Sequence, residues 1–317
     1  MNAYSATACS VRGRACLLAG RHSGSCPCPR VRRFVRYDAN PCTFGSPCKT
    51  FQHAHDVVDA GGEVTAIDSA GFGPINITKA VTITSPPGVE AGIVPNPPTA
   101  DAIDISAGSS DVIELRGLTA NGAGVGNNGI AFNSGNSLII VDCVFRNFTH
   151  DGIFFSPSSS LTSTLRISDT LLDNNADAGI YLVPTSSATV AAAFERVEAS
   201  NNHNGMVIQG SAVSAPMLNV TIVDSVAANN TNVGMSSVTA TGSAPVTVMV
   251  LRSVAANNGL GIAAQGTNAT LLVGQSAVTG NANGWGIITG GTLQSYGDNK
   301  IDGNVSNQSA PPSISNK

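Results

Sequence analysis

The chain has 317 residues, of which 42% are hydrophobic, 11% are charged and 5% are aromatic. Charged residues are too scarce for a coiled coil, and apolar residues are too abundant for a disordered chain. No apolar run approaches the roughly 18–20 residues of a membrane-spanning helix. Short runs of Val, Ile and Leu, interrupted by Gly, Asn and Ser, instead indicate a β-rich protein.

Residues 1–37 form a basic leader that is rich in Cys and Arg. All 20 acidic residues lie from Asp38 onward, where only nine Lys and Arg oppose them. An acidic body disfavours nucleic acid and anionic membranes as partners. The leader lacks the apolar run of roughly 7–15 residues that a secretory signal needs. We expect the leader to be disordered, or to precede the true start of the protein, and to take no part in the fold.

Residues 38–61 are predicted to cap the N-terminal end of the fold. Cys42 and Cys48 bracket a turn-rich segment of five residues, which is short enough for a local disulfide and would indicate an oxidising compartment. A helix is predicted over residues 49–60, with an apolar face made of Phe51, Ala54, Val57 and Val58. Such a helix would end at Gly61 and cover the open edge of the first coil.

A repeat runs through residues 62–304 and determines the predicted fold. A small or polar residue, a Gly and an aliphatic strand recur at intervals of 23–29 residues, and the motif glycines are Gly129, Gly152, Gly179, Gly205, Gly234, Gly261 and Gly286. A unit of this length without a helix cannot bury its own apolar face, so successive copies must stack as a solenoid of about nine coils. Parallel strands would then lie about 4.8 Å apart, with right-handed crossovers.

Asparagine recurs in phase with the glycine motif. The column consists of Asn121, Asn147, Asn174, Asn201, Asn229, Asn257, Asn281 and Asn304. Stacked amides can hydrogen-bond along a solenoid and satisfy the polar groups of a tight turn. We therefore interpret the column as a structural ladder. Cys143, alone in an apolar run, is interpreted as an inert packed thiol.

Three segments, together with the repeated Asn/Asp-Gly-Ile units, resemble a known family. They are Ser46-Pro-Cys-Lys-Thr-Phe51, Ala60-Gly-Gly-Glu-Val64 and Thr78-Lys-Ala-Val-Thr-Ile83. They resemble right-handed parallel β-helix proteins of the pectate-lyase-like superfamily, and most closely secreted bacterial β-helix proteins without an assigned activity. The resemblance implies an all-β, single-stranded right-handed parallel β-helix with a short N-terminal capping helix. It also implies export from a bacterial cell, to the medium or to the cell surface.

The superfamily contains enzymes as well as adhesins, and each group of enzymes has characteristic sequence segments. The segments that characterise polygalacturonase-like hydrolases, pectate lyases and the epimerases of this fold are missing here. A standard pectinolytic activity is therefore not expected.

Stacking would bring polar side chains of neighbouring repeats together. His150, Asp177 and His203 each lie two residues before a motif Gly, and would project from one turn region at about 4.8 Å spacing. Such a grouping could act as acid and base or bind a transition metal. The alternative is that polar residues before a Gly are ordinary turn residues. We predict neither a metal site nor a cofactor.

Aromatic and polar residues surround this turn region. The candidate ligand-binding residues are Arg146, Asp151, Phe155 and Tyr181. Aromatic faces combined with polar groups are typical of a sugar-binding surface.

The leading hypothesis is a secreted or surface scaffold that binds carbohydrate and has no recognisable catalytic site. The first alternative is a divergent polysaccharide lyase or glycoside hydrolase that uses His150, Asp177 and His203. The second is a structural module that forms a homo-oligomer through its C-terminal edge, next to the polar tail at residues 305–317. A polysaccharide is the expected partner, while nucleic acid and membrane insertion are not expected.

Overall fold

The computed structural model describes residues 36–158, 162–185, 188–210, 217–240, 242–307 and 309–315. The predicted leader therefore lies outside the described residues, except for its last two positions. Within the described ranges, no helix is long and apolar enough to cross a membrane.

The described residues contain one helix, α1 (Phe51–Val57), and 27 strands. The strands in chain order are β1 (Gly62–Thr65), β2 (Ala70–Gly71), β3 (Ile75–Ile77), β4 (Val81–Thr84), β5 (Ala91–Ile93), β6 (Ile103–Ser106), β7 (Val112–Arg116), β8 (Leu118–Asn121), β9 (Ile130–Ser134), β10 (Ser137–Val141), β11 (Val144–Arg146), β12 (Ile153–Phe155), β13 (Thr162–Asp173), β14 (Ala178–Leu182), β15 (Thr189–Ser200), β16 (Asn204–Gln209), β17 (Leu218–Val223), β18 (Val226–Ala228), β19 (Val233–Val238), β20 (Val246–Leu251), β21 (Val254–Ala256), β22 (Leu260–Gln265), β23 (Ala269–Gly274), β24 (Ala277–Thr279), β25 (Asn283–Ile288), β26 (Thr292–Ser295) and β27 (Lys300–Ile301).

The strands form three parallel stacks, one strand of each stack in each turn of the chain. The first stack begins with β1, β4 and β7, and the second begins with β2, β5 and β8. The long strands β13 and β15 run through both stacks and join them into one 18-stranded sheet. The third stack is the nine-stranded sheet that runs from β3 to β25. Nine strands at one per turn confirm the predicted parallel solenoid, and they span eight repeat intervals among the described residues.

The core lies between the three stacks and is built from in-register rows of aliphatic side chains. One row of the first stack contains Val81, Ile113, Leu138, Leu165, Ala192, Val220, Val248, Leu271 and Leu293. Every member is buried. Strand residues alternate between inside and outside, so each strand adds its apolar residues to such a row. Burial of apolar surface along the stack stabilises turns that could not fold alone.

The motif glycines lie where successive turns approach most closely. A Cβ atom on Gly129, Gly152, Gly179, Gly205, Gly234 or Gly261 would lie within 3.0 Å of the carbonyl oxygen of the corresponding Gly in the next turn. Only a residue without a side chain fits this contact. The last member of the column is Gly284, because Leu260 pairs with Asn283. The assignment of Gly286 to this column was wrong by two residues.

The predicted asparagine column is divided between two neighbouring columns. Asn147, Asn174, Asn201, Asn229 and Asn257 share one column at the surface, with φ between 55° and 61°. Asn and Gly tolerate this left-handed conformation better than other residues, and Gly280 and Gly303 occupy the column in the last two turns. Asn121 lies one position earlier, in register with Arg146. Its Oδ1 still accepts a hydrogen bond of 3.0 Å from Asn147.

The ladder that runs through the interior is the next column, which contains Asn175, Asn202, Asn230, Asn258, Asn281 and Asn304. Each amide Nδ2 donates to the Oδ1 of the next Asn at 2.9–3.3 Å. Backbone N–H groups donate to the same oxygens. Asn281 and Asn304 were therefore assigned to the wrong column. The reason is that four turns carry two consecutive Asn residues, so the spacing between repeats does not show which Asn of each pair continues into the last turns.

Helix α1 covers the first turn as predicted, but it is shorter than expected. Thr50 caps its N-terminus, since its side chain accepts from the His53 N–H at 3.2 Å. Phe51 stacks on Phe72 with the ring centroids 4.4 Å apart. The helix ends at Val57, which is 50% exposed and so does not belong to the buried face. The chain becomes extended at the next residue, before it reaches the predicted Gly stop.

The two ends of the solenoid are both covered within the described residues. At the N-terminal end, Cys42 and Cys48 form a disulfide with Cα atoms 4.5 Å apart. At the C-terminal end, the tail pairs with the last turn through the bridges Asn283–Ser306 and Ser295–Ser313. The indole N–H of Trp285 donates to the Ser309 carbonyl at 2.8 Å, which fixes the tail over the last core position.

Candidate functional site

The outer side of the third stack carries a groove of about 280 Å³ that crosses several turns. We call it the third-stack groove. Its polar lining includes Asp177, Tyr181, Asn204, Gln209, Asn232 and Gln265, and its apolar lining includes Val207, Val238, Leu260 and Ile288. Strand alternation explains the lining, because the residues between the core positions of β14, β16, β19 and β22 must face outward.

Tyr181 lies near one end of this groove and is half-buried. Its phenol O–H donates to Gln209 Oε1 at 2.9 Å. The Phe154 ring of the preceding turn lies 5.9 Å away, centroid to centroid, at a tilt of 48°. Burial raises the pKa of the phenol, and the charges of Asp151 and Asp177 raise it further. Tyr181 therefore stays protonated at neutral pH and presents both a ring face and a hydroxyl.

One edge of the groove is a chain of hydrogen-bonded polar side chains. Asp177 Oδ1 accepts from Asn204 Nδ2 at 3.0 Å, and Asn204 Oδ1 accepts from Asn232 Nδ2 at 2.8 Å. These contacts hold three side chains from successive turns in fixed positions. Free lone pairs and N–H groups along this edge remain available to a ligand.

Asp151 lies beside this edge and is only 4% exposed. Its Oδ1 accepts from the Ala178 N–H at 2.9 Å, and its own N–H donates to Asn128 Oδ1 at 3.0 Å. Burial raises the pKa of this carboxyl to about 7, the Asp177 charge adds to that effect, and the Ala178 hydrogen bond opposes it. Asp151 therefore changes its charge near neutral pH, unlike an ordinary carboxylate.

The predicted grouping of His150, Asp177 and His203 does not form a common site. Their backbones are stacked as expected, since the Asp177 N–H donates to the His150 carbonyl at 3.0 Å. The side chains diverge, because Asp177 reaches forward to Asn204 while the His203 imidazole lies 2.8 Å from Thr231 Oγ1. Both histidines are exposed, and His203 lines a separate shallow depression. Among the described residues, no three His, Cys, Asp or Glu side chains are placed to hold a metal ion.

Two of the four predicted ligand-binding residues lie elsewhere. Phe155 is fully buried in the core row of the third stack and stacks on Phe132 at 4.3 Å. The alternation of β12 turns Phe154 outward instead. Arg146 is exposed on β11, in register with Asp173, and so belongs to the second stack. Of the predicted set, Tyr181 lines the groove and Asp151 lies next to it.

Sequence reasoning did not identify the amide side chains that line the groove. Gln209 lies two residues after Val207, which is in register with Tyr181, so alternation alone would have placed it on the same face. Cys143 is buried as predicted, and burial raises the pKa of its thiol to about 12, so it stays protonated.

Comparison with known proteins agrees with this architecture. A family model described as a right handed beta helix region matches residues 103–248. The three parallel stacks show that the described residues form a parallel β-helix, and residues 103–248 match the right-handed β-helix model within it. No curated protein matches the chain in sequence.

Among solved structures, the chain is similar to the A-module of the mannuronan C-5 epimerase AlgE4 from Azotobacter vinelandii. The two share 14% sequence identity with a TM-score of 0.46. The match covers 85% of this chain and 97% of that one.

Proposed function

We propose that the third-stack groove binds carbohydrate. The observation that supports this most directly is the composition of the groove, in which an aromatic ring and aliphatic side chains alternate with amides and one carboxylate. Sugar rings offer apolar C–H faces and polar hydroxyls together, and a surface of this kind matches both. The Cys42–Cys48 disulfide is typical of proteins in oxidising compartments, where free glycans are found.

The geometry favours a chain of sugars over a single sugar. Equivalent groove positions recur in successive turns about 4.8 Å apart, so a linear polymer along the stack would meet similar contacts repeatedly. The Asp177–Asn204–Asn232 edge provides acceptors and donors in three turns. Tyr181 would provide the ring contact near one end.

The test is glycan binding measured by calorimetry with three variants. Tyr181→Ala removes the ring and is expected to weaken binding by about tenfold or more, because an aromatic contact and its buried area are lost. Tyr181→Phe keeps the ring and should retain most of the affinity. Tyr37→Ala is the matched control, since Tyr37 is exposed and does not line the groove. Equal losses in Tyr181→Ala and Tyr37→Ala would contradict the assignment.

Polysaccharide cleavage is a second candidate function, favoured by the carboxyls of Asp151 and Asp177. Glycosidases of the common type use one protonated and one ionised carboxyl. The raised pKa of Asp151 and the open position of Asp177 fit that division of roles. Incubation of the protein with a polysaccharide panel, followed by detection of new reducing ends or unsaturated products, tests it. Products that persist in Asp177→Asn would contradict a catalytic role for this pair.

A further inference from the structure

We infer that the third-stack groove selects uncharged glycans and excludes polyuronates. This inference rests on the proposed carbohydrate-binding function and specifies the chemical class of the ligand. It is carried by the distribution of charged side chains over the three stacks.

No cationic side chain from the described part of the chain lines the groove. The nine strands of the third stack contain no Lys, Arg or His, and none lines the groove among the described residues. Of the described residues that line the groove, Asp177 alone is charged. A uronate chain carries one carboxylate per sugar and would find no positive partner there.

The cations of the described chain are concentrated on other surfaces. Arg196 and Arg252 pair with Asp169 and Asp224, with Nε–Oδ1 distances of 2.6 and 2.9 Å, in the long strand β15 and after β20. These pairs belong to the first and second stacks. Because the guanidinium groups already have carboxylate partners on another face, they are not positioned to serve a ligand in the groove.

The negative charge at the groove edge acts against an anionic ligand. Asp177 is half-buried, where a charge is screened less than in water. Like charges brought together at an interface repel each other and so give specificity by exclusion. Hydroxyl groups, in contrast, can bond to the amides and to Asp177 without any charge penalty.

The experiment compares matched ligands that differ only at carbon 6. Mannuronan, glucuronan and polygalacturonate oligomers are each assayed beside the same oligomer after chemical reduction of its carboxyl groups. Binding is measured by calorimetry at pH 8, with and without added Ca²⁺. At least one reduced oligomer is expected to bind about tenfold or more tightly than its uronate form.

The outcomes separate this inference from the proposed function. Uronate binding within tenfold of the reduced form, with or without Ca²⁺, overturns the selectivity but leaves the carbohydrate site intact. Failure of every reduced and unreduced oligomer to bind overturns both.

A variant that introduces a positive charge into the groove tests the cause of the selectivity. Val207→Lys places a cation in the groove, beside Tyr181, and should raise uronate affinity by about tenfold. Thr221→Lys makes the same charge change on an exposed position of β17 in the first stack and should have no effect. If Val207→Lys fails to fold, Asp177→Asn serves instead and should also raise uronate affinity. Unchanged uronate affinity in the folded groove variant would overturn the inference.

Discussion

At the scale of single residues, Asp151 is the group whose chemistry differs most from its ordinary behaviour. Its carboxyl is buried next to Asp177 and titrates near pH 7. The same column carries Asn128 in the preceding turn and Asn204 two turns further on, so an amide fits this position without strain. Asp151 is therefore a titratable residue in a column where other repeats carry a neutral amide.

We predict that Asp151→Asn changes the pH dependence of stability. The folded-state pKa lies above the ordinary 3.8, so the folded protein binds one more proton than the unfolded chain between about pH 4 and pH 7. The free energy of unfolding of the natural protein should therefore fall as pH rises through this window, by at most about 1.4 kcal/mol per pH unit from this group. The variant should lack that slope and be the more stable protein at pH 8.

Urea denaturation at pH 5 and pH 8 measures this difference. The exposed carboxylate of Asp142 supplies the control variant, Asp142→Asn, which should follow the natural protein. Parallel stability curves for Asp151→Asn and the natural protein would show that the buried carboxyl carries no such cost.

The two asparagine columns make a second residue-scale prediction. Asn230 Nδ2 donates to Asn258 and to the Ala199 carbonyl, and its Oδ1 accepts from the Asn202 N–H. Asn230→Ala leaves these buried groups without partners and should lower the free energy of unfolding by about 3 kcal/mol. The adjacent Asn229 has φ of 57°, so Asn229→Gly should change it by less than about 0.5 kcal/mol.

Thermal or urea unfolding of the two variants distinguishes the columns. Similar losses in both would contradict the division into an outer turn position and a buried ladder. The sequence already contains one signal for this division. In the last two turns Gly280 and Gly303 replace the first Asn of the pair, as expected for a left-handed position followed by a ladder residue.

At the scale of elements, the repeat predicted the strands more accurately than it predicted the ends. The solenoid was expected over residues 62–304, and strands β1 to β27 lie within those bounds. The capping helix was extended too far, because Val58 fits the pattern of an apolar helical face although its backbone is already extended. Periodicity constrains a repeat many times over, whereas a cap occurs once and has no second copy to fix its boundary.

Strand register explains why Phe155, and not Phe154, was wrongly predicted to contact a ligand. Because Phe154 and Phe155 are both aromatic, the alternation of apolar residues does not show which of them faces the core. Only the register with Tyr181 and Leu182 shows that Phe155 continues the core row and Phe154 the outer row. A one-residue slip exchanges the faces of a strand, so register information decides the site.

The C-terminal tail is expected to stabilise the last turns of the solenoid. It supplies Pro312 and Ser306 carbonyls to the Ser295 and Gly284 N–H groups at 2.8 and 2.9 Å. A chain that ends at Val305 loses these bonds and uncovers Trp285. Its free energy of unfolding should fall by about 2–4 kcal/mol, at about 1 kcal/mol for each hydrogen bond lost, and its exposed strand edge should promote self-association.

Tryptophan fluorescence and light scattering measure these effects, because Trp285 is the single Trp of the chain. The control ends at Ile314 and keeps every tail contact named above. A Val305 truncation with unchanged stability and emission would show that the tail is dispensable as a cap.

At the scale of the whole molecule, the charge distribution matches the division of the solenoid into three stacks. The Arg196–Asp169 and Arg252–Asp224 ion pairs lie on the first and second stacks, whereas the third stack carries amides, aromatic rings and acidic groups. The overall architecture was predictable from the sequence because every repeat has the same pattern of glycine and aliphatic residues. The position of the third-stack groove was not predictable in the same way, since it depends on where outward-facing side chains from separate repeats lie close together.

Hydroxyl-radical footprinting with a bound neutral oligosaccharide tests the central claim most directly, because it reads the solvent exposure of individual side chains. We predict that the ligand lowers labelling of Tyr181, Val207, Val238 and Ile288 together, although they belong to four different repeats. Labelling of Val112 on the first stack and of Met217 should stay unchanged, as both are exposed outside the groove. Protection confined to one repeat, or protection of Val112 and Met217, would contradict the third-stack groove as the binding site.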